Sequence, residues 1–226
     1  DDVTPIAFEE ASAAVGSLKD VNGVDGTYGI RYTLADVMGT GMTFDAMYVP
    51  KHGEGDTAGE KGTSGAVNMD AKDGYSVVVK GSVPMIEGLD VGVGYASLDH
   101  DSGIVTNLDQ EEATAYVKYA IGGLSVGYQK GAVSEGVGTK NYENEYIGVS
   151  YAISDNVSVS WNEIESRESS STSLTATDVE QDFESISLSY TSGGMTIGIL
   201  DAEADNSSYS SGRNTSARSI QMTIAF

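Results

Sequence analysis

The sequence contains no cysteine and only three prolines, and basic residues are scarce. The absence of cysteine excludes a disulfide framework and any thiolate metal site. With 12 Lys and Arg against 34 Asp and Glu, the formal net charge is −22. This balance argues against a nucleic-acid partner, because such proteins need clustered basic residues. No apolar run approaches the roughly 18 residues that a transmembrane helix requires.

From residue 27 onward, the sequence alternates between apolar and polar residues with a period of two. One parity carries Val, Ile, Leu, Met and Tyr, whereas the other carries mainly Gly, Ser, Thr and charged residues. The series runs to the chain terminus, where Ile220, Met222, Ile224 and Phe226 share one parity. Spacing typical of helices is nearly absent. The pattern predicts an all-β chain of about eleven antiparallel strands.

The connections between these strands alternate between short and long. The short ones, rich in turn-forming residues, are 35–41, 84–88, 122–123, 154–156 and 192–194. The long ones, rich in Gly, Ser, Asp and Glu, are 50–73, 98–110, 130–144, 166–181 and 203–216. Such alternation is typical of transmembrane β-barrels, which have short periplasmic turns and long external loops.

Aromatic residues on the apolar parity fall into two groups by height. Those that lie two or three residues before a short turn are Tyr32, Tyr119, Tyr151 and Tyr190. Those near the far ends of strands that leave a short turn are Tyr48, Tyr95, Tyr128 and Trp161. Two belts of amphipathic rings are typical of the two membrane–water interfaces. With small polar residues on the opposite parity, the belts predict lipid outside a barrel and water inside it.

These features resemble general porins of the bacterial outer membrane, above all those of marine alphaproteobacteria. The stretches that carry the resemblance are DDVTPIAFEEAS, GTYGIRYTLADV, LDVGVGYASLDHD, EEATAYVKYAIGGLSVGYQKG, YIGVSYAISDNVSVSW and IQMTIAF. The resemblance covers nearly the whole chain and implies an outer-membrane location, with lipid and lipopolysaccharide around the barrel. It also implies a homotrimer, and a barrel-assembly machinery that reads Phe226 as the terminal aromatic residue of the last strand.

The resemblance further implies a division of the chain. Residues 1–26 are similar to the end of the constriction loop that folds into a porin barrel, and residues 27–226 would form barrel strands. Porins commonly have sixteen strands, so the chain would supply strands 6–16, with about five more strands and a signal peptide upstream. An open sheet in lipid would leave costly unpaired backbone groups. The alternative is a smaller barrel with an even number of strands.

Three basic residues on the polar parity predict a charged constriction. Arg31, Lys80 and Lys118 each lie four residues before a short turn, so we expect them at one height on the lumen wall. The acidic residues expected across the pore are Asp1, Asp2, Glu9 and Glu10. Opposite charges across a narrow aqueous gap produce a field that orients dipolar solutes. The alternative is that each basic residue pairs with a neighbour on the wall.

The predicted function is passive diffusion of small hydrophilic solutes and ions, with a mild cation preference. The alternatives are a substrate-selective channel and an adhesin-like barrel whose external loops bind a partner. An enzyme, such as a hydrolase or a glycosidase, is not expected, because both histidines and most carboxylates lie in predicted loops. No cofactor is expected. His52, Asp99 and Asp101 are weak candidates for Ca²⁺ or Mg²⁺ in these loops.

Overall fold

The computed structural model describes residues 3–8, 15–24, 29–50, 70–101, 109–136, 140–170 and 178–224. Within these ranges, eleven strands form one antiparallel sheet, in which each strand pairs with its neighbours in sequence. The strands are β1 (Ile30–Leu34), β2 (Met42–Val49), β3 (Asp70–Ser82), β4 (Leu89–Asp101), β5 (Gln110–Ile121), β6 (Leu124–Ser134), β7 (Lys140–Ser154), β8 (Val157–Ser170), β9 (Val179–Ser192), β10 (Met195–Asp205) and β11 (Thr215–Ile224). The predicted all-β, antiparallel architecture of about eleven strands is confirmed.

Short 3-10 helices occur in two of the connections. Val37–Gly39 lies between β1 and β2, and Ser207–Tyr209 lies between β10 and β11. Among the described residues, no helix is long and apolar enough to cross a membrane.

The strands extend further into the long connections than the apolar alternation indicated. The last outward-facing apolar residues of β7 and β8 are Ile147 and Trp161, yet these strands continue to Lys140 and Ser170. The predicted loops 130–144 and 166–181 are therefore partly strand. The ladder continues because backbone N–H and C=O groups pair whatever side chains they carry, while the outward side chains change from apolar to charged.

One face of the sheet, here called the outer face, carries apolar side chains that are exposed or partly exposed on every strand. Its large exposed side chains include Tyr32, Val77, Val93, Val117, Val126, Tyr151, Ile186, Ile199 and Ile220. The register places them side by side, as in the row that joins Val126, Val149, Trp161 and Ile186. A soluble monomer rarely exposes so continuous an apolar surface. The outer face is therefore suited to contact with lipid.

The buried side chains lie on the opposite, inner face. They are covered by residues 3–8 and 15–24, here called the inner segment. Three clusters form where this segment meets the wall: Val15 with Tyr146, Ile164, Phe183 and Leu200, Val21 with Val133 and Tyr142, and Val24 with Val49, Ala96 and Leu98. The apolar core of the molecule thus lies inside the curved sheet, toward the long connections.

Candidate pore lining and constriction

Residues 3–8, the first stretch of the inner segment, are held through their backbone to the sheet, which forms the wall. Its N–H groups donate to polar side chains of β6, β8 and β9: Val3 to Gln129 Oε1 (2.9 Å), Ala7 to Ser160 Oγ (3.0 Å) and Phe8 to Ser187 Oγ (3.1 Å). The hydroxyls of Ser160 and Ser187 also lie 2.7 Å apart. The polar parity of these strands therefore supplies acceptors for a bound segment.

Glycines on the inner face let this stretch lie close to the wall. A Cβ at Gly127 would lie 2.7 Å from Pro5 Cδ, and one at Gly148 would lie 2.7 Å from Thr4 Cβ. A Cβ at Gly198 would meet the ring of Phe8. Because real side chains do not approach this closely, these positions need glycine for the approach of the segment. The alternation of the sequence predicts only that such glycines face the lumen, and it does not predict the bound segment.

Residues 15–24, the second stretch of the inner segment, cross the same wall nearer to the long connections. Here side chains of the wall and of the connection between β10 and β11 donate to backbone carbonyls: Ser207 and Thr215 to Val15 O (3.0 and 2.6 Å), Gln181 to Ser17 O (3.1 Å) and Asn144 to Lys19 O (2.6 Å). At β5, the N–H groups of Asn22 and Gly23 donate to Glu112 Oε2 at 2.8 and 2.7 Å. The segment therefore returns from β10 and β11 to β5.

The connection between β10 and β11 folds inward over this stretch. The Tyr209 hydroxyl lies 2.7 Å from Ser166 Oγ and accepts a hydrogen bond from Lys19 N at 3.2 Å. Its ring packs on Tyr142, with a centroid distance of 5.2 Å. Burial raises the pKa of Tyr209. Tyr209 adopts a φ of +53°, in the left-handed region that costs energy for a bulky residue. Its contacts with the segment and the wall hold it there.

The three predicted basic residues lie on strands β1, β3 and β5. At the level of residues 3–8, the hydrogen bonds of the inner segment go to β6, β8 and β9 instead. Arg31 and Lys80 are exposed and Lys118 is partly exposed. Arg31 Nε donates to Asp45 Oδ1 at 3.1 Å, and the Arg31 side chain remains 64% exposed. This part of the wall therefore carries accessible positive charge.

The register places the three basic residues on a diagonal across the sheet. Across β4, Lys80 is level with Tyr116, which precedes Lys118 by two residues. Across β2, Arg31 is level with Ser76, four residues before Lys80. Strands of a barrel tilt by about 35–45° from its axis, so residues at one height lie on a diagonal.

Several predicted site residues lie outside the described residues: Asp1, Asp2, Glu9, Glu10, His52 and Phe226. The side chain of Asp101 is not described either. Asp99 lies beside Asp109, and partial desolvation together with the Asp99 carboxylate raises the pKa of Asp109. Within the described ranges, no group of three His, Asp or Glu side chains is arranged to hold a metal ion.

All eight predicted girdle aromatics share the parity of the outer face. The polar ends of two of them reach charged residues just beyond the apolar surface. Tyr95 OH donates to Glu111 Oε1 at 2.9 Å, and Trp161 Nε1 donates to Glu184 Oε1 at 2.7 Å. This arrangement is typical of amphipathic rings at a membrane–water interface.

Charged residues continue the outer face toward the long connections. Their ion pairs join neighbouring strands: Lys130 with Glu145 (3.0 Å), Arg167 with Glu180 (2.7 Å) and Arg218 with Asp201. This surface was not predicted, because Lys130, Arg167 and Glu180 were assigned to loops. The signal that could have revealed it is that the period of two continues through them.

An antiparallel sheet with an apolar exposed outer face, interfacial aromatics and a folded-in segment defines the wall of a transmembrane β-barrel channel. A family model described as "Gram-negative porin" matches residues 1–219. The chain therefore belongs to the Gram-negative porin family, and its location is the bacterial outer membrane. Membership of this family indicates an outer-membrane channel.

No curated protein matches the chain. Among solved structures, it aligns with one described as "NanC porin structure in rhombohedral crystal form" at 12% identity and a TM-score of 0.45. The alignment covers 88% of this chain and 98% of that chain.

Proposed function

We propose that the protein forms a water-filled channel for passive diffusion of small hydrophilic solutes and ions, with a mild preference for cations. The observation that carries this proposal is the division of the inner face. At the level of residues 3–8, the inner segment is bound to β6, β8 and β9, while Arg31, Lys80 and Lys118 remain accessible on β1, β3 and β5. Arg31 and Lys80 lie on strands farther along the wall from residues 3–8, whereas Lys118 lies beside them, because its register partner is Gly127, against which Pro5 packs.

The proposed cation preference follows from the charge balance. The chain carries 34 acidic and 12 basic residues. A lumen and mouths of net negative potential raise the local concentration of cations. The basic residues on the wall reduce this preference without reversing it, and Asp45 offsets part of the charge of Arg31. The acidic residues proposed for the opposite side of the constriction remain Asp1, Asp2, Glu9 and Glu10.

A substrate-selective sugar channel is the weaker alternative. Such a channel would line its lumen with a ladder of aromatic rings. Tyr116 and Tyr146 lie on the inner parity of β5 and β7, but Tyr146 is 0% exposed and lies in the core cluster around Val15. Tyr116 alone of this pair remains partly exposed.

Replacing both Lys80 and Lys118 with Glu is expected to raise the cation-to-anion permeability ratio. Conductance should change only modestly, because both side chains are long and mobile in water. The measurement is the reversal potential of single channels in a planar bilayer under a salt gradient. The shift should shrink as salt rises, because the Debye length falls from about 10 Å at 0.1 M to about 3 Å at 1 M.

A matched control changes the net charge equally on the outer face. Lys130 and Arg167 lie there in ion pairs, and replacing both with Glu should leave the reversal potential near that of the wild type. If the lumen variant at low salt matched this control, Lys80 and Lys118 would not line the constriction.

For partners, we propose a homotrimer embedded among lipid and lipopolysaccharide, assembled by the barrel-assembly machinery. Membership of the porin family supports this assembly. Full-length protein extracted in mild detergent should run as a heat-modifiable oligomer in unheated gels. Migration of the unheated, folded protein as a monomer would contradict the trimer.

A further inference from the structure

Glu112 on β5 is a buried carboxylate that binds the inner segment. Its residue is 1% exposed. Oε2 accepts hydrogen bonds from the N–H groups of Asn22 (2.8 Å) and Gly23 (2.7 Å), and Oε1 accepts one from Gln110 Nε2 (2.7 Å). None of the ion pairs within the described ranges includes Glu112. Among the described residues, amide donors alone therefore compensate the burial of this charge, which would otherwise be costly.

On the inner segment, the two N–H groups that bind Glu112 are oriented by the backbone conformation of Gly23. Its φ is +72°, and a Cβ there would meet no atom within 4 Å. Glycine is therefore needed for the left-handed conformation rather than for space. That conformation turns successive N–H groups toward one point, as in backbone concavities that bind anions. The next residue, Val24, packs in the cluster with Val49, Ala96 and Leu98.

Most other described contacts between the second stretch and the wall are neutral hydrogen bonds or longer ion pairs, which are weaker than the hydrogen bonds to Glu112. Gln181 and Asn144 are neutral amides that donate to carbonyls, and the ion pair of Lys19 with Glu135 spans 3.6 Å. Hydrogen bonds to an ionised group are roughly twice as strong as neutral ones. Glu112 makes two such bonds to the backbone at one point, where the segment approaches β5.

We propose that Glu112 is a latch: a positioning residue whose charge holds residues 20–24 of the inner segment against the wall. The latch keeps this part of the segment out of the lumen and so stabilises the channel width. The effect on channel width rests on the proposed function, whereas the effect on the segment does not. Without the charge, residues 20–24 exchange between a docked and a mobile state.

The test uses a spin label in a chain that has no cysteine of its own. The label is attached to an Asn22→Cys variant, which keeps the backbone N–H of residue 22. In this background, Glu112→Gln removes the charge and keeps the shape of the side chain. The equilibrium between docked and mobile label should then shift about tenfold or more toward the mobile state, as expected for loss of charge-assisted hydrogen bonds.

A second variant acts from the segment side and leaves the barrel wall unchanged. Gly23→Ala strains the left-handed backbone without a clash and should also mobilise the label. Because Gly23→Ala leaves the barrel wall unchanged, its spectrum still tests the latch if the Glu112→Gln variant fails to assemble. The matched control is Glu111→Gln, the neighbouring residue on the outer face, which should leave the spectrum unchanged.

Single-channel recordings complete the test. Wild-type channels should show a steady open-channel current. The Glu112→Gln and Gly23→Ala variants should show larger fluctuations of this current. An immobile label in both variants would overturn the latch even if the pore conducts normally. A wild-type protein without conductance would overturn the proposed function, and the label spectra would still decide the latch.

Discussion

Replacing Val126 with Arg is expected to lower the free energy of unfolding by about 2–4 kcal/mol, the cost of a basic residue on the lipid face near mid-membrane. Val126 is 39% exposed and lies between Leu124 and Tyr128 on the outer face of β6. Beyond Tyr128 the same face becomes charged at Lys130. Val126 is thus central in the apolar part of this strand, where an Arg side chain is farthest from water on either side of the membrane.

The matched control is Ser125→Arg, one residue earlier on the inner face. Ser125 is partly exposed and pairs with Ala120 and Ser150, so the new side chain would extend into the water of the lumen. Unfolding in urea, followed by the heat-modifiable mobility of the folded barrel in gels, measures both variants. Equal stabilities for Val126→Arg and Ser125→Arg would mean that the two faces are assigned wrongly.

Adding one methyl group at Gly148 is expected to cost about 1–3 kcal/mol and to lower channel conductance. The Cβ of a Gly148→Ala variant would lie 2.7 Å from both Thr4 Cβ and Asn162 Oδ1. The wall strand is held by ladders on both sides, so the inner segment is the part that moves. It moves away from the wall, toward the lumen, and narrows the passage.

Gly94→Ala is the control for this prediction, since Gly94 lies on the inner face of β4. A Cβ there would lie 3.3 Å from Thr114 Cγ2 and 3.5 Å from Val78 Cγ2, contacts that small side-chain shifts accommodate. Replacing glycine within a strand also removes its entropic cost, so Gly94→Ala should be neutral or slightly stabilising. Urea titration and single-channel conductance measure both variants. Equal conductance of the Gly148→Ala and Gly94→Ala variants would contradict the close packing of Thr4 on Gly148.

Much of the barrel wall could be predicted from the sequence. The alternation at Val117, Val126 and Ile186 correctly predicted strands with an apolar outer face, because side chains on a strand point to opposite faces with a period of two. The extension of β7 and β8 past Ile147 and Trp161 could not be predicted from hydrophobicity. Beyond those residues the outward side chains are charged, and only the pairing of neighbouring backbones keeps the strands together.

The candidate constriction was predicted less completely. Parity placed Arg31, Lys80 and Lys118 on the inner face, but it said nothing about what covers the rest of that face. The inner segment has no periodicity of its own. Its contacts join residues far apart in the chain, such as Phe8 and Ser187, which are 179 positions apart. No local pattern records such a pairing.

The sequence by itself determined the class of fold and the side of the sheet that meets lipid, because both follow from the local alternation of side chains along each strand. Only the tertiary structure decided that Gly148, Ser160 and Glu112 hold a segment and do not face open water. Serine, glycine and glutamate on an inward parity are compatible with either role. The choice depends on which distant backbone groups the folded chain brings within hydrogen-bond distance of them, and that distance is set by the whole curved sheet.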